Sequence, residues 1–224
     1  KVEFLVPCGS TGESATMTRD ERRRVIQIVY EQAAQRVPVI AGTGTNSTND
    51  SIELTHDAKE IGVDTVLLVG PYYNKPTQEG FFQHFRKIIE ECDVKAVLYN
   101  VPGRTASNML AETTLRLAEE VENVIAVKEA SNNLEQIMQI IDHAPAKFAV
   151  LSGDDSLTLP LVSCGGDGVI SVVSNEVPKD FSDMVRSALA GDLKKARTLH
   201  YKLFELMKVN FIESNPIPVK SAMH

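Results

Sequence analysis

The sequence predicts an α/β protein built on a parallel (β/α)8 TIM barrel. Short apolar, β-branched runs alternate with longer amphipathic stretches along the chain, the pattern of repeated βα units. Polar segments rich in glycine, hydroxyl and charged residues follow four of the strand candidates, where barrel enzymes carry their sites. An open doubly wound sheet would want a glycine-rich dinucleotide turn, and the nearest match, Gly42-Thr43-Gly44-Thr45-Asn46-Ser47, lacks the third glycine.

Taken in order, Val2–Val6 runs into Cys8-Gly9-Ser10-Thr11-Gly12-Glu13 and then a helix candidate near Arg19–Gln35. Val39–Ala41 leads to Ser47–Ile61, and Thr65–Val69 passes through Gly70-Pro71-Tyr72-Tyr73-Asn74 to Gln78–Glu91. Ala96–Tyr99 ends in Asn100-Val101-Pro102-Gly103-Arg104-Thr105 before Leu110–Glu120. Val124–Val127 runs into Lys128-Glu129-Ala130-Ser131 before Leu134–His143. Phe148–Leu151 with Ser156–Cys164, and Gly168–Val172 with Lys179–Ala190, complete seven units.

A barrel wants eight strands, and the sequence opens inside what reads as one. The expectation is therefore that the first βα unit is missing and that residues 1–190 hold strands two to eight. Residues 191–224 would begin a truncated C-terminal helical region: Asp192–Phe211 reads as a helix with Leu199, Leu203, Leu206 and Met207 on it, followed by the turn Asn215-Pro216-Ile217-Pro218.

With 224 residues, 43% hydrophobic and 24% charged, the composition is that of a globular domain with a sizeable core. No apolar run is long enough to span a bilayer and no secretory signal opens the sequence, so a cytoplasmic protein without a membrane partner is expected. A net charge of -7 and the lack of a basic stripe argue against nucleic acid. Arg22-Arg23-Arg24 reads as a solvated or interface face. Cys8, Cys92 and Cys164 are scattered and odd in number, which favours reduced thiols over a disulfide framework or a metal site.

Lys128 is the sharpest feature. Period-two alternation gives it the face of Ala126, and in a closed barrel one strand face points into the packed interior. Desolvation there favours a neutral amine, a nucleophile for a carbonyl carbon. A lysine that snorkels out of the strand end, or pairs with Glu129, is the competing reading. Tyr99 closes the preceding strand, which would put its phenol beside Lys128 in a proton relay through Thr11; a capped core and a tight turn are the alternatives. Ser10 and Thr11, between glycines, offer hydroxyls and N–H groups to a carboxylate, or simply turn the chain. Arg104, in a Pro-Gly-Arg-Thr turn, suits bidentate capture of a second carboxylate or is a surface arginine. Asp154-Asp155 reads as helix N-terminal capping rather than a metal site.

Together these stretches resemble the dihydrodipicolinate synthase branch of the pyruvate-dependent lyase family, which also includes N-acetylneuraminate lyase. The resemblance rests on GSTGESAT (Gly9–Thr16), AGTGTN (Ala41–Asn46), PYYNKPTQEG (Pro71–Gly80), YNVPGRT (Tyr99–Thr105), VKEAS (Val127–Ser131), SGDD (Ser152–Asp155), GGDGVISV (Gly165–Val172) and NPIPVK (Asn215–Lys220). It implies a class I aldolase-type lyase with no cofactor beyond a covalent imine between Lys128 and pyruvate. Tyr99 would exchange protons in a relay with Thr11, completed by Tyr73 reaching into a neighbouring subunit of a homotetramer, a dimer of dimers. Ser10 and Thr11 would hold the pyruvate carboxylate, and Gly153 and Ile170 would line the pocket with backbone groups. Arg104 would bind L-aspartate 4-semialdehyde, giving 4-hydroxy-tetrahydrodipicolinate on the route to diaminopimelate and lysine.

Ser10 stands where the synthases more often carry Thr, and a Ser-Thr pair at this site is also common in the sialate-cleaving lyases; those lyases lack an arginine in the turn of Arg104, which favours the synthase. A sugar-acid lyase is the first alternative, and an inactive barrel serving as a binding or assembly module the second. The family's lysine-inhibition cleft maps onto Ser14, Ala15, Arg19, Asn46, Asp50 and Tyr72. Arg19 replaces a histidine and Asp50 a longer glutamate there, so inhibition is expected to be weak or absent.

Overall fold

A computed structural model of the chain describes residues 2–224. Six parallel strands form one sheet in sequence order: β1 (Ile40–Gly42), β2 (Thr65–Val69), β3 (Lys95–Asn100), β4 (Val124–Glu129), β5 (Ala149–Ser152) and β6 (Gly168–Val169). Helices cover its outer side: α1 (Arg19–Ala33), α2 (Thr48–Ile61), α3 (Gln78–Cys92), the short α4 (Pro102–Thr105), α5 (Ala111–Glu120), α6 (Leu134–His143), α7 (Thr158–Ser163) and α8 (Pro178–Leu189). Two more, α9 (Leu193–Val209) and α10 (Ile217–Met223), follow. The parallel α/β alternation read from the sequence is thus present, as a six-stranded arc.

Local chemistry sets the helix starts. Thr18 and Glu21 form a reciprocal capping box on α1, and the side chains of Ser47, Thr77, Asn133 and Asp192 each accept a backbone N–H in the first turn of their helices. Each such cap is worth about 1 kcal/mol. Side-chain alternation then gives the sheet two apolar faces. Val66, Leu68, Ala96, Leu98 and Val127 face the helices, against Phe81, Phe82, Phe85 and Ile137. Ile40, Leu67, Val97, Tyr99, Ala126, Leu151 and Ile170 face the concave side. No helix among the described residues is long and apolar enough to cross a membrane.

Two strand predictions need correction. Val2–Val6 forms no strand but a single bridge, Leu5 to Val39, with Leu5 N–H donating to the Pro38 carbonyl at 3.0 Å and Ile40 N–H to the Leu5 carbonyl at 2.9 Å. Pro7 and Pro38 flank this pairing, and neither has an N–H to extend the ladder. Gly168–Val172 pairs only through Val169, because the chain then turns into a 3-10 helix at Val173–Asn175.

The AGTGTN motif has a packing explanation. A Cβ on Gly42 would lie 2.1 Å from the Cys8 carbonyl oxygen, and one on Gly44 would lie 2.3 Å from the Val69 nitrogen. Both glycines let backbones approach where a methyl group would overlap. Gly44→Ala is expected to destabilise the fold by roughly 1–3 kcal/mol, the range for overpacked sites, read as a lower midpoint in urea at unchanged slope. An unchanged midpoint would show that the loop yields freely.

Candidate active site

The strand register brings the central pair together. Tyr99 lies opposite Lys128, and Lys128 opposite Leu151. On the concave face Lys128 therefore emerges among Tyr99, Ala126 and Leu151, and its Nζ sits 4.2 Å from the Tyr99 ring centroid. A cation over a phenol ring in this geometry gains about 0.5–2 kcal/mol. Among the described residues Lys128 has no hydrogen bond and no ion pair within 4 Å, and the nearby carboxyls of Asp154 and Asp155 act on it only through their charge.

Pairing of Lys128 with Glu129 is excluded. Glu129 points to the opposite face, is 1% exposed, and accepts from Asn100 Nδ2 at 2.8 Å, Ser131 Oγ at 2.6 Å and Gln136 Nε2 at 3.2 Å. Burial pushes its carboxyl up, against those hydrogen bonds, which favour the charged form.

Lys128 opens onto a cavity of about 700 Å³ whose walls include Ser10, Thr11, Leu67, Leu151 and Ile170. The Ser10–Thr11 segment is a tight turn, with Gly12 N–H donating to the Gly9 carbonyl and Glu13 N–H to that of Ser10, both at 3.0 Å. Arg22 Nε pins its far end by donating to the Ser14 carbonyl at 2.8 Å. Thr11 Oγ1 accepts from Asn215 Nδ2 at 2.9 Å, and the Asn215 carbonyl accepts from Arg104 Nη2 at 3.2 Å. Asn215 thus joins the hydroxyl turn to Arg104. Arg104 is exposed at the end of α4, and its Nε and Nη1 have no partner among the described residues. No hydrogen bond links Tyr99 to Thr11 among the described residues.

Gly153 makes room for the lysine: a Cβ there would meet Ala130 Cβ at 2.6 Å and Lys128 Cε at 3.2 Å. The Gly153 N–H is committed to the Glu129 carbonyl at 2.6 Å and that of Ile170 to Ser152 at 2.9 Å. Only their carbonyl oxygens remain to offer a ligand.

The capping role expected of Asp154-Asp155 is not observed. Helix α7 begins after Leu157 with no side-chain cap. Asp155 reaches across to accept from Val172 N–H at 3.1 Å and Val173 N–H at 2.8 Å, fixing the 3-10 turn that cuts β6 short. Burial pushes both carboxyls up, while the positive charge of Lys128 pulls both down.

Tyr73 lies on the loop after β2, 89% exposed and at φ 72°. In the remaining group, Arg19 is held by α2 through Asp57 at 2.6 Å and Glu53 at 2.5 Å. The Asn46 carbonyl accepts from Asn74 Nδ2 at 3.0 Å, Asp50 is exposed, Tyr72 is half-buried, and Ser14 and Ala15 open a 3-10 turn. Within the basic cluster Arg23 pairs with Asp57 and Glu60. Sequence reasoning missed the linking role of Asn215 and the polar group around Glu129. Both sit inside quoted motifs, NPIPVK and VKEAS, but spacing carries no sign of what their side chains touch.

A profile of the dihydrodipicolinate synthetase family matches residues 1–224. The 4-hydroxy-tetrahydrodipicolinate synthase of Chlorobaculum parvum is 50% identical over 221 residues, 99% of this chain and 75% of that protein. A crystal structure of dihydrodipicolinate synthase from Aquifex aeolicus superposes with a TM-score of 0.97 at 47% identity, covering 99% of this chain and 75% of that one. A monomeric dihydrodipicolinate synthase variant superposes with a TM-score of 0.97 at 45% identity over 99% of this chain and 75% of the other.

Proposed function

We infer that this chain, which belongs to the dihydrodipicolinate synthetase family, condenses pyruvate with L-aspartate 4-semialdehyde to give 4-hydroxy-tetrahydrodipicolinate, in lysine and diaminopimelate biosynthesis. It is a lyase of the class I aldolase type. The single observation that carries the residue assignment is a lysine on the concave face, with no close ion pair among the described residues and with a tyrosine ring against its amine.

Lys128 in its neutral form attacks the C2 carbonyl of pyruvate, and the carbinolamine loses water to leave an imine. Tyr99 supplies the proton to the departing hydroxyl and takes one from C3 to form the enamine. No further cofactor is required. Ser10 and Thr11 hold the pyruvate carboxylate, with Asn215 fixing the Thr11 hydroxyl. Gly153 and Ile170 border the site. The enamine C3 then attacks the aldehyde carbon of the semialdehyde, whose carboxylate rests on the free edge of the Arg104 guanidinium. The amino group of the bound semialdehyde displaces Lys128 from C2, closing the ring and freeing the enzyme.

The six-stranded arc fits a (β/α)8 barrel, with residues 1–190 as its body and 191–224 as a helical region. The exposure of Tyr73 supports its completing the relay in a neighbouring subunit of a homotetramer in the cytoplasm. A monodisperse monomer with full activity would contradict that. The grip of Glu53 and Asp57 on Arg19 supports weak or absent lysine inhibition at Ser14, Ala15, Arg19, Asn46, Asp50 and Tyr72; submicromolar inhibition in an initial-rate assay would contradict it.

The deciding experiment is borohydride reduction with pyruvate followed by peptide mapping, then assay with the semialdehyde and with a sugar aldehyde. An adduct on Lys128 and consumption of the semialdehyde are expected. Arg104→Ala is expected to raise KM for the semialdehyde roughly 10- to 100-fold, the worth of one or two charge-assisted hydrogen bonds, with pyruvate trapping unaltered. Equal losses in both steps would give Arg104 some other task.

A further inference from the structure

We propose that Glu129 is a positioning residue which, paired with Asn100 on the outer face of the sheet, sets the geometry in which Tyr99 and Lys128 meet on the inner face. The inference rests on the assignment of the imine to Lys128.

The register carries it. Tyr99 pairs with Lys128, and the next residues along the same two strands, Asn100 and Glu129, pair in turn. Alternation sends the first pair inward and the second outward, so the two pairs share the same stretch of backbone. A bond that fixes Asn100 to Glu129 therefore fixes the strand ends from which the phenol and the amine project. Glu129 Oε1 accepts from Asn100 Nδ2 at 2.8 Å, and the Glu129 carbonyl accepts from Gly153 N–H at 2.6 Å. That second bond clamps β4 to the glycine against which the Lys128 stem packs.

The group is built rather than incidental. Asn100 and Glu129 are 3% and 1% exposed, within a layer otherwise made of Leu98, Met109, Val127 and Ile137. No cation pairs with Glu129 among the described residues; neutral donors alone surround it, from Asn100, Ser131 and Gln136. Asn100 also receives Met109 N–H on Oδ1 at 3.0 Å and donates to Asn108 Oδ1 at 2.9 Å, tying in the segment before α5. Gln136 brings in the first turn of α6. An apolar pair would fill the same volume without direction, whereas hydrogen bonds of fixed length set one arrangement. Glu129 does not touch the reacting atoms, because the sheet lies between.

Two substitutions separate reach from charge. Glu129→Gln keeps the length of the side chain, with its amide oxygen accepting from Asn100 and Gln136 and its amide donating to Ser131 Oγ. Glu129→Asp keeps the charge but withdraws the carboxylate by one methylene. The measurement is the single-turnover rate of pyruvate imine formation, trapped with borohydride and mapped by mass spectrometry, well below the melting temperature of each variant. Glu129→Gln should stay within about threefold of the native rate, and Glu129→Asp should fall at least about tenfold, as misplacement of a reacting group by a fraction of an ångström requires. A native rate in Glu129→Asp, or a slower rate in Glu129→Gln than in Glu129→Asp, would overturn the proposal. If Glu129→Asp does not fold, Ser131→Ala removes the 2.6 Å bond from a half-buried position. At least about threefold slower trapping is then expected, and an unchanged rate overturns the proposal. Absence of any Lys128 adduct in the native enzyme would instead refute the imine assignment itself.

Discussion

Replacing Lys128 by arginine should abolish covalent capture of pyruvate and lower kcat by roughly 10⁴-fold or more, the scale of losing a nucleophile. A guanidinium stays protonated through the working pH range and offers no lone pair to a carbonyl carbon, yet it keeps the positive charge over the Tyr99 ring. Charge and chemistry are thereby separated. The larger head must fit where Lys128 Cε already lies close to Gly153, so Lys128→Met, without charge or nitrogen, serves as a second variant of similar length. Lys128→Met should melt within about 8 °C of the native protein, because the cation–ring attraction is lost but, among the described residues, no hydrogen bond of Lys128 is broken to strand a buried partner. Borohydride adduct in either variant at the native level would move the imine to another amine.

How much of this could be read beforehand depended on whether a feature is periodic. The strand β4 shows the distinction. Its alternation predicted that Lys128 shares the face of Ala126, and both do face the concave side with Leu151 and Ile170. The same alternation places Glu129 outward, but nothing in the sequence named its donors: Asn100 lies on another strand and Gln136 on the next helix, and the two-residue spacing to Ser131 does not show that its hydroxyl turns back onto the carboxylate. Asn215 is the extreme case: its partner Thr11 is 204 residues away. Asp154-Asp155 failed for a related reason. Position before a helix suggested a local cap, and the carboxylate of Asp155 instead meets N–H groups 17 and 18 residues on. Val2–Val6 failed through its prolines, since an apolar run records burial but not whether both neighbours can donate.

Tyr99→Phe should lower kcat by about 10²- to 10³-fold, within the range for removing a general acid–base group, while pyruvate KM changes little. The substitution takes away one oxygen and leaves the ring. Tyr99 is 5% exposed and packs with Leu67, Val97 and Ala126, so the phenyl group holds its place and the contact with Lys128 at 4.2 Å survives. Packing and cation–ring attraction therefore cancel in the comparison, and the difference measures the proton. The deficit should appear in both dehydration of the carbinolamine and loss of the C3 proton. Exchange of pyruvate methyl hydrogens into deuterated water, without any second substrate, isolates the latter step. Thr11→Val should be milder, because Tyr99 and Thr11 share no direct hydrogen bond and the hydroxyl is oriented by Asn215. If Tyr99→Phe exchanged pyruvate hydrogens at the native rate, the phenol would be a support for the lysine and the proton would have to travel through another group.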